Sequence, residues 1–395
     1  MSDAAPGPDP IPVGPCPHCR REVPVATFCG ACGAHLAHEA SRATRRHHAY
    51  AAFPEEPVLR LVVTSSLFPH LPHRSKATFR AAVGLIVVVL VALALSGVEA
   101  PAIAVSALGV PVLYLLYLYE IHDPARARLL PAVAVTILVA AALGVGWGIV
   151  GGHYVNEALG VSLDFSLVQP SALAAALGVP AAAVVLVTLP ALVVRVRTPN
   201  LSESLDGFVL GALGALAFVA AGTLTQQSSL LSAGQFAQAS FTGTLAQVVI
   251  RGLCSPILAA SLIGVFGASL WSTARTDGPA GHRWLGSVAI PLTTILVVEA
   301  GLGFADVARL SDAVLVVCHL FGTAVALLVT RVSLHYVLLH EQGPPEIEGL
   351  AVCPHCQFVV PTMRFCPHCG VARSATAPSR RTTPLEPAPE TVGGP

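Results

Sequence analysis

Eight cysteines stand in two groups near the ends of the chain, at the spacing of metal-binding sites. Cys16-Pro-His-Cys19 is followed by Cys29-Gly-Ala-Cys32, and Cys353-Pro-His-Cys356 by Cys366-Pro-His-Cys369. Both groups read C-x2-C-x9-C-x2-C, and Pro24 and Pro361, Phe28 and Phe365, and Gly33 and Gly370 also correspond. Each C-x2-C turn offers two thiolates from one knuckle. Two knuckles joined by a short hairpin give the four sulfur donors that Zn2+ takes in closed, structural sites. The expected chemistry is therefore folding and not catalysis. Two Zn2+ ions are expected, one on Cys16, Cys19, Cys29 and Cys32, the other on Cys353, Cys356, Cys366 and Cys369. The competing reading, a redox dithiol in Cys-Pro-His-Cys, needs a βαβ domain around the motif, and segments this short hold none. Metal binding supplies about 10–16 kcal/mol to folds this small.

The pattern resembles the bacterial zinc-ribbon family over a short stretch at each end. Cys254 and Cys318 lie inside apolar runs and read as small buried hydrophobes. Arg251, Glu299 and His319 are the ionisable residues set well inside such runs. Glu299 with His319, aided by Cys318, makes half a metal site. A catalytic zinc takes about three protein ligands, and neither a paired carboxylate nor H-x3-H spacing supplies them. The plainer expectation places Glu299 near a membrane boundary and bonds His319 to neighbouring backbone.

The elements that carry these groups follow from composition. Of 395 residues, 54% are hydrophobic and only 11% charged, which assigns the chain to the membrane class. Formal net charge is zero, and Arg20, Arg21 and Arg364 are too few for a nucleic-acid surface, so none is expected. One lysine, Lys76, against many arginines suits a high-G+C bacterium. A span needs roughly 20 mainly apolar residues. Eight segments qualify: Ala77–Gly97, Ala100–Tyr119, Leu130–Val150, Ser171–Val194, Gly207–Leu224, Leu245–Trp271, Trp284–Phe304 and Ala313–Leu334. Continuous apolar runs favour helices over a barrel, and neighbouring helices tolerate Pro111, Pro180, Pro190, Pro256 and Pro291.

Arg126, Arg128, Arg195, Arg197, Arg275 and Arg283 fall in the loops after the second, fourth and sixth spans. The alternate loops carry only Arg309, with Glu99, Glu157, Asp164, Asp306 and Asp312. The arginine-rich side is cytoplasmic by the positive-inside rule, so both termini are expected in the cytoplasm. Tyr114, Tyr117, Tyr119, Trp271 and Trp284 are expected in the inner aromatic belt. Arg42–His48 is basic, in a solvated linker or on anionic head groups.

The middle of the chain resembles a second family. Pro111–Leu130 has a proline, an aromatic-rich helix end and a charged Asp-Pro stretch. Asp206-Gly-Phe-Val-Leu-Gly211 is followed by Gly214 and Phe218, and Arg251 by Gly264 and Gly267. These stretches resemble the PrsW-type intramembrane proteases, with one glycine displaced by a residue. The resemblance implies catalytic Glu and His inside the spans, where such groups are costly and conspicuous. Ser171–Val194 holds no ionisable residue, Gly222 and Thr223 stand where the family's Glu and Asn fall, and no histidine lies between Arg251 and Trp271. It therefore implies a non-catalytic relative acting as a scaffold or regulator. An active metalloprotease with displaced ligands and a transporter or channel are the alternatives.

The expected fold class is an all-α polytopic membrane protein of about eight transmembrane helices, with a small four-cysteine zinc ribbon at each end. Disordered ends at 1–15 and 372–395, ribbons at 16–36 and 353–371, linkers at 37–76 and 339–352, and a membrane domain at 77–338 complete the layout. The expected location is the inner membrane of a bacterium. Expected partners are the lipid bilayer and either a cytoplasmic protein bound through the ribbons or the ribbons themselves. Gly207, Gly211 and Ala215 form a small-residue stripe for close helix packing, within the chain or in a homodimer.

Overall fold

A computed structural model describes residues 12–17, 19–36, 66–68, 76–120, 130–160, 177–198, 204–233, 240–271, 280–308, 310–340, 349–353 and 355–373. The chain forms two compact units. One joins Met1–Arg60 to Leu338–Pro395, and the other is Leu61–Val337. The Arg42–His48 stretch and the arginines at 126, 128, 275 and 309 fall outside the residues so described, as does the side chain of Arg283.

The first unit contains two small hairpins built alike. Strand β1 (Val13–Pro15) pairs antiparallel with β2 (Glu22–Pro24), Val13 opposite Pro24 and Pro15 opposite Glu22. Strand β3 (Leu350–Val352) pairs with β4 (Val359–Pro361), Leu350 opposite Pro361 and Val352 opposite Val359. A second, minimal hairpin follows each, closed by single bridges Phe28–His35 and Phe365–Ala372. Both ribbons thus begin a strand earlier than their first cysteines suggest. β1 lies in the segment expected to be disordered, and β3 in the expected 339–352 linker. Three-residue strands carry too little pattern to be read before a Cys-Pro.

The described elements of the second unit are helices: α1 (Lys76–Leu95), α2 (Glu99–Glu120), α3 (Leu130–Gly160), α4 (Val179–Arg197), α5 (Ser204–Ala233), α6 (Phe241–Trp271), α7 (Ala280–Val307) and α8 (Asp312–His340). All eight are long and apolar enough to cross a membrane, and a helix satisfies its own backbone there. The spans of α5 and α6 are 72% and 78% buried against 11% for α1 and 17% for α7, so α5 and α6 form the centre. Helix α3 continues past the expected end at Val150, because backbone hydrogen bonding does not stop where the apolar run does. Helix α5 is longer than the short fifth span read from Gly207–Leu224.

Glycines bring the central helices into backbone contact. A Cβ on Gly207 would lie 2.5 Å from the Gly267 carbonyl oxygen, and one on Gly211 would overlap that of Ile263. Gly264 sits under the Phe208 ring. The small-residue stripe of α5 is therefore covered by α6 of the same chain, which leaves it no room to serve a homodimer. On its other side α5 meets α3, where a Cβ on Gly148 would stand 2.9 Å from the Gly222 carbonyl.

Within α6, Val248–Cys254 is a π-helical segment immediately before Ser255-Pro256. Proline has no N–H and its ring crowds the carbonyl four residues back. The shift to longer-range bonding, with the Ser255 N–H donating to Ile250, accommodates it.

Two expectations are corrected. Tyr114, Tyr117 and Trp271 are buried inside the protein and not in a lipid-facing belt. Tyr114 and Tyr117 pack with Phe68, at ring distances of 5.6 and 5.3 Å, and Trp271 lies beneath the Arg195 guanidinium. Leu67 and Phe68, assigned to the 37–76 linker, are buried in the same core cluster. The side chains of Tyr119 and Trp284 lie outside the described residues.

Candidate metal centres

Each knuckle is a turn closed by the backbone. The first cysteine's carbonyl accepts from the N–H four residues on: Arg20 to Cys16 at 2.9 Å, Gln357 to Cys353 at 2.8 Å, Gly33 to Cys29 at 2.8 Å and Gly370 to Cys366 at 2.8 Å. The donor in all four has positive φ, between 61° and 72°. Glycine takes that conformation readily, whereas Arg20 and Gln357 are held in it by the hairpin around them. The first cysteine's own N–H donates to residue i+5, Arg21, Phe358, Ala34 and Val371 respectively. Four turns of one geometry thus present eight sulfurs.

The sulfurs converge as the sequence spacing implies. Cys16 and Cys32 stand at 3.9 Å, and Cys19 and Cys29 at 3.8 Å. In the second centre Cys353 and Cys369, and Cys356 and Cys366, are each 3.8 Å apart. Within each group all four sulfurs lie within 4.8 Å of one another, so each group could hold a metal ion. A tetrahedron with metal–sulfur bonds of about 2.3 Å has edges of about 3.8 Å, the separation of two sulfur pairs in each centre.

The thiols cannot all ionise unaided. A hydrogen bond from Cys32 lowers Cys29 to about 5, while giving that bond and being buried push Cys32 far up. In the second centre, bonds from Cys366 and Cys369 hold Cys353 well below the usual thiol range, and Cys366 rises to about 11. One thiolate per centre is favoured by its neighbours' protons. A divalent cation replaces those protons and allows four.

The two ribbons are packed directly on each other, with an approximate twofold relation. Phe28 N–H donates to the Pro367 carbonyl, and Phe365 N–H to the Gly30 carbonyl, both at 2.9 Å. Phe28 matches Phe365 and Gly30 matches Pro367 in the aligned motifs, so each bond is the image of the other. The rings repeat the relation. Phe28 covers Gly370, where a Cβ would be 2.7 Å from its Cδ1, and Phe365 covers Gly33 at 2.8 Å. One feature breaks the symmetry: Met363 fills the space a side chain at Gly30 would need, and joins the core of Cys16, Val23, Cys29 and Ala34. The eight cysteines singled out by spacing are the ones brought together, and contact between the ribbons was one of the expected partnerships, but the residues that make it were not read from the sequence. Its signals, a Phe before and a Gly after each second knuckle, were visible only as matching positions.

In the membrane unit, two of the positions that bear on the catalytic reading, Gly222 and Pro256, are packing positions. Gly222 packs on α3, where a Cβ would stand 3.3 Å from the Gly144 carbonyl. Pro256 is buried behind the π segment. His319 Nε2 lies 3.3 Å from Asp306 Oδ1, a partner that sequence reading had placed in a loop. Among the described residues, only the two cysteine groups meet metal-ligand spacing. No protein-family model, curated protein or solved structure matches the chain.

Proposed function

We propose that this is a non-catalytic, PrsW-like membrane scaffold or regulator whose two ends are clasped by zinc. The reciprocal hydrogen bonds between Phe28 and Pro367 and between Phe365 and Gly30 carry this reading. Ribbons in contact must lie on one side of the bilayer, in keeping with an even number of spans, and the arginine bias assigns that side to the cytoplasm of a bacterial inner membrane. Closed four-sulfur sites suit zinc in a structural role. The clasp leaves the outer ribbon faces to a cytoplasmic protein partner.

The small-residue contact at Gly222 supports the absence of proteolysis. A glutamate there would drive its Cβ against the α3 backbone and strand a carboxylate among apolar side chains. The test is metal analysis and proteolysis on one preparation of the purified chain in lipid. Two zinc ions per chain and no cleavage of membrane-embedded substrates are expected. Cleavage that Glu299→Gln abolishes, or a third ion held in the membrane unit, overturns the reading. A red, iron-loaded protein would replace zinc by iron, the other metal of four-sulfur tetrahedra.

A further inference from the structure

The membrane unit buries a second set of chemically capable groups along α8. His319, Gly322, Thr323, Ala326, Leu327 and Thr330 are buried on one face, and burial then turns about 100° and 140° round the helix from Thr330 to reach Arg331 and His335. A buried face of a span is normally apolar or small, yet His319, Thr323, Thr330, Arg331 and His335 are all polar. At about 1.5 Å per residue the polar groups cover roughly 24 Å of a hydrocarbon core about 30 Å thick. The track is not continuous. Ala326 and Leu327 interrupt it and belong to the apolar core clusters.

The stretch nearer the α7–α8 connection is acidic and open to the surface. Asp306 has a side chain 55% exposed, and its Oδ1 lies 3.3 Å from Nε2 of His319, which is 8% exposed. Glu299 lies two turns before Asp306 on the α7 stripe that includes Pro291, Ile295 and Leu302. Its neighbours on α7, Val298 and Leu302, pack against Gly322 of α8, one turn from His319. One turn below His319, the Thr323 hydroxyl donates to the His319 carbonyl at 2.7 Å and reaches the Cys254 carbonyl, on the π segment of α6, at 3.5 Å. The stretch beyond Leu327 is basic. There the Thr330 hydroxyl is buried with no partner among the described residues, and Arg331 is buried beside it.

We propose that Asp306, His319 and Glu299 form a proton-binding well, open at the α7–α8 end of the membrane unit and closed inside the bilayer at Thr323 and Ala326. Among the described residues, the surrounding helices carry Arg251 and Cys254 on α6, and Asp312 and Cys318 on α8. Those on α4 and α5, Arg195, Arg197 and Asp206, belong to the opposite end, since Arg195 bonds the Leu270 carbonyl at the far end of α6. The three acceptors do not converge as metal ligands do. Spaced donors and acceptors suit a proton, which moves between partners. Ionisable groups held inside a span, at the cost this carries, are kept for such tasks. This site is independent of the ribbon clasp and of whether the chain is PrsW-like.

The test uses the full chain in lipid vesicles and dicyclohexylcarbodiimide, which modifies carboxyl groups in their protonated form. Modification of Glu299, read by mass spectrometry, is expected to rise as the buffer is acidified and to be unchanged by sodium. His319→Gln and Asp306→Asn are expected to move the pH of half-modification in opposite senses, since one removes a base and the other an anion. A shift of about one unit each, tenfold in rate at fixed pH, is the expected size. Vesicles loaded with a pH dye should show no proton flux above protein-free vesicles. Absence of Glu299 modification at every pH, or one profile shared by wild type and both variants, overturns the proposal. Protection by sodium reassigns the well to that ion, and proton flux refutes its closed end. His319→Asn is the second variant if His319→Gln does not elute as a folded species.

Discussion

Cys29→Ser is expected to empty the N-terminal centre and to weaken the C-terminal one about a hundredfold, although none of its own ligands is touched. Loss of one of four thiolates removes most of the energy that folds so small a ribbon, about 10–16 kcal/mol with metal bound. The C-terminal ribbon then loses its support. Two backbone hydrogen bonds contribute about 1 kcal/mol each, and the Phe28 ring over Gly370 about 2 kcal/mol through apolar burial. If roughly 3 kcal/mol of this survives as coupling, metal affinity falls about two orders of magnitude, because binding and folding are one equilibrium. Competition with a chromophoric chelator reads both centres. Unchanged affinity at Cys353, Cys356, Cys366 and Cys369 would mean that the ribbons fold independently.

Gly211→Leu is expected to prevent assembly of the membrane unit, whereas Gly84→Leu is expected to be silent. A Cβ at Gly211 overlaps the Ile263 carbonyl and lies 3.3 Å from Gly264 Cα, so nothing flexible is available to move. The helices must separate, undoing the α5–α6 crossing and the burial of Phe208, Leu210 and Leu262 around it. Overpacking of ordinary side chains costs about 1–3 kcal/mol, and a backbone clash at the bundle centre lies at or above the top of that range. A Cβ at Gly84 meets nothing within 4 Å. The recovery of monodisperse protein in mild detergent and its thermal midpoint distinguish the two. Equal behaviour of both variants contradicts the assigned packing.

The cysteine knuckles were legible because a knuckle is local: Cys, two residues, Cys, and a turn that only some residues close. The spans were legible because crossing a bilayer demands length and apolarity, which composition displays directly. What could not be read was which side of each span faces protein. Lipid and core are equally apolar, so α5 and α6 carry no stripe that sets buried from exposed. Tyr114, Tyr117 and Trp271 looked like belt residues for that reason, although each packs inside the bundle. Contact between the ribbons was among the expectations, but the residues that make it escaped, because it rests on main-chain N–H and C=O groups and on the lack of a side chain at Gly33 and Gly370. The polar side of α8 did leave a trace, since His319, Thr323 and Thr330 recur at helical spacing. It was missed because only His319 among them was weighed, with Glu299 and Cys318 as half a metal site.

The proposed function depends on the clasp, and cutting the chain tests the clasp most directly. A site for a sequence-specific protease would be introduced within residues 341–348, between α8 and β3, and the purified protein cleaved in detergent with metal bound. The severed C-terminal ribbon is expected to stay with the membrane fragment through gel filtration, and to leave it when a strong chelator removes the metal. A ribbon that departs on cleavage, with both centres still loaded, contradicts the clasp.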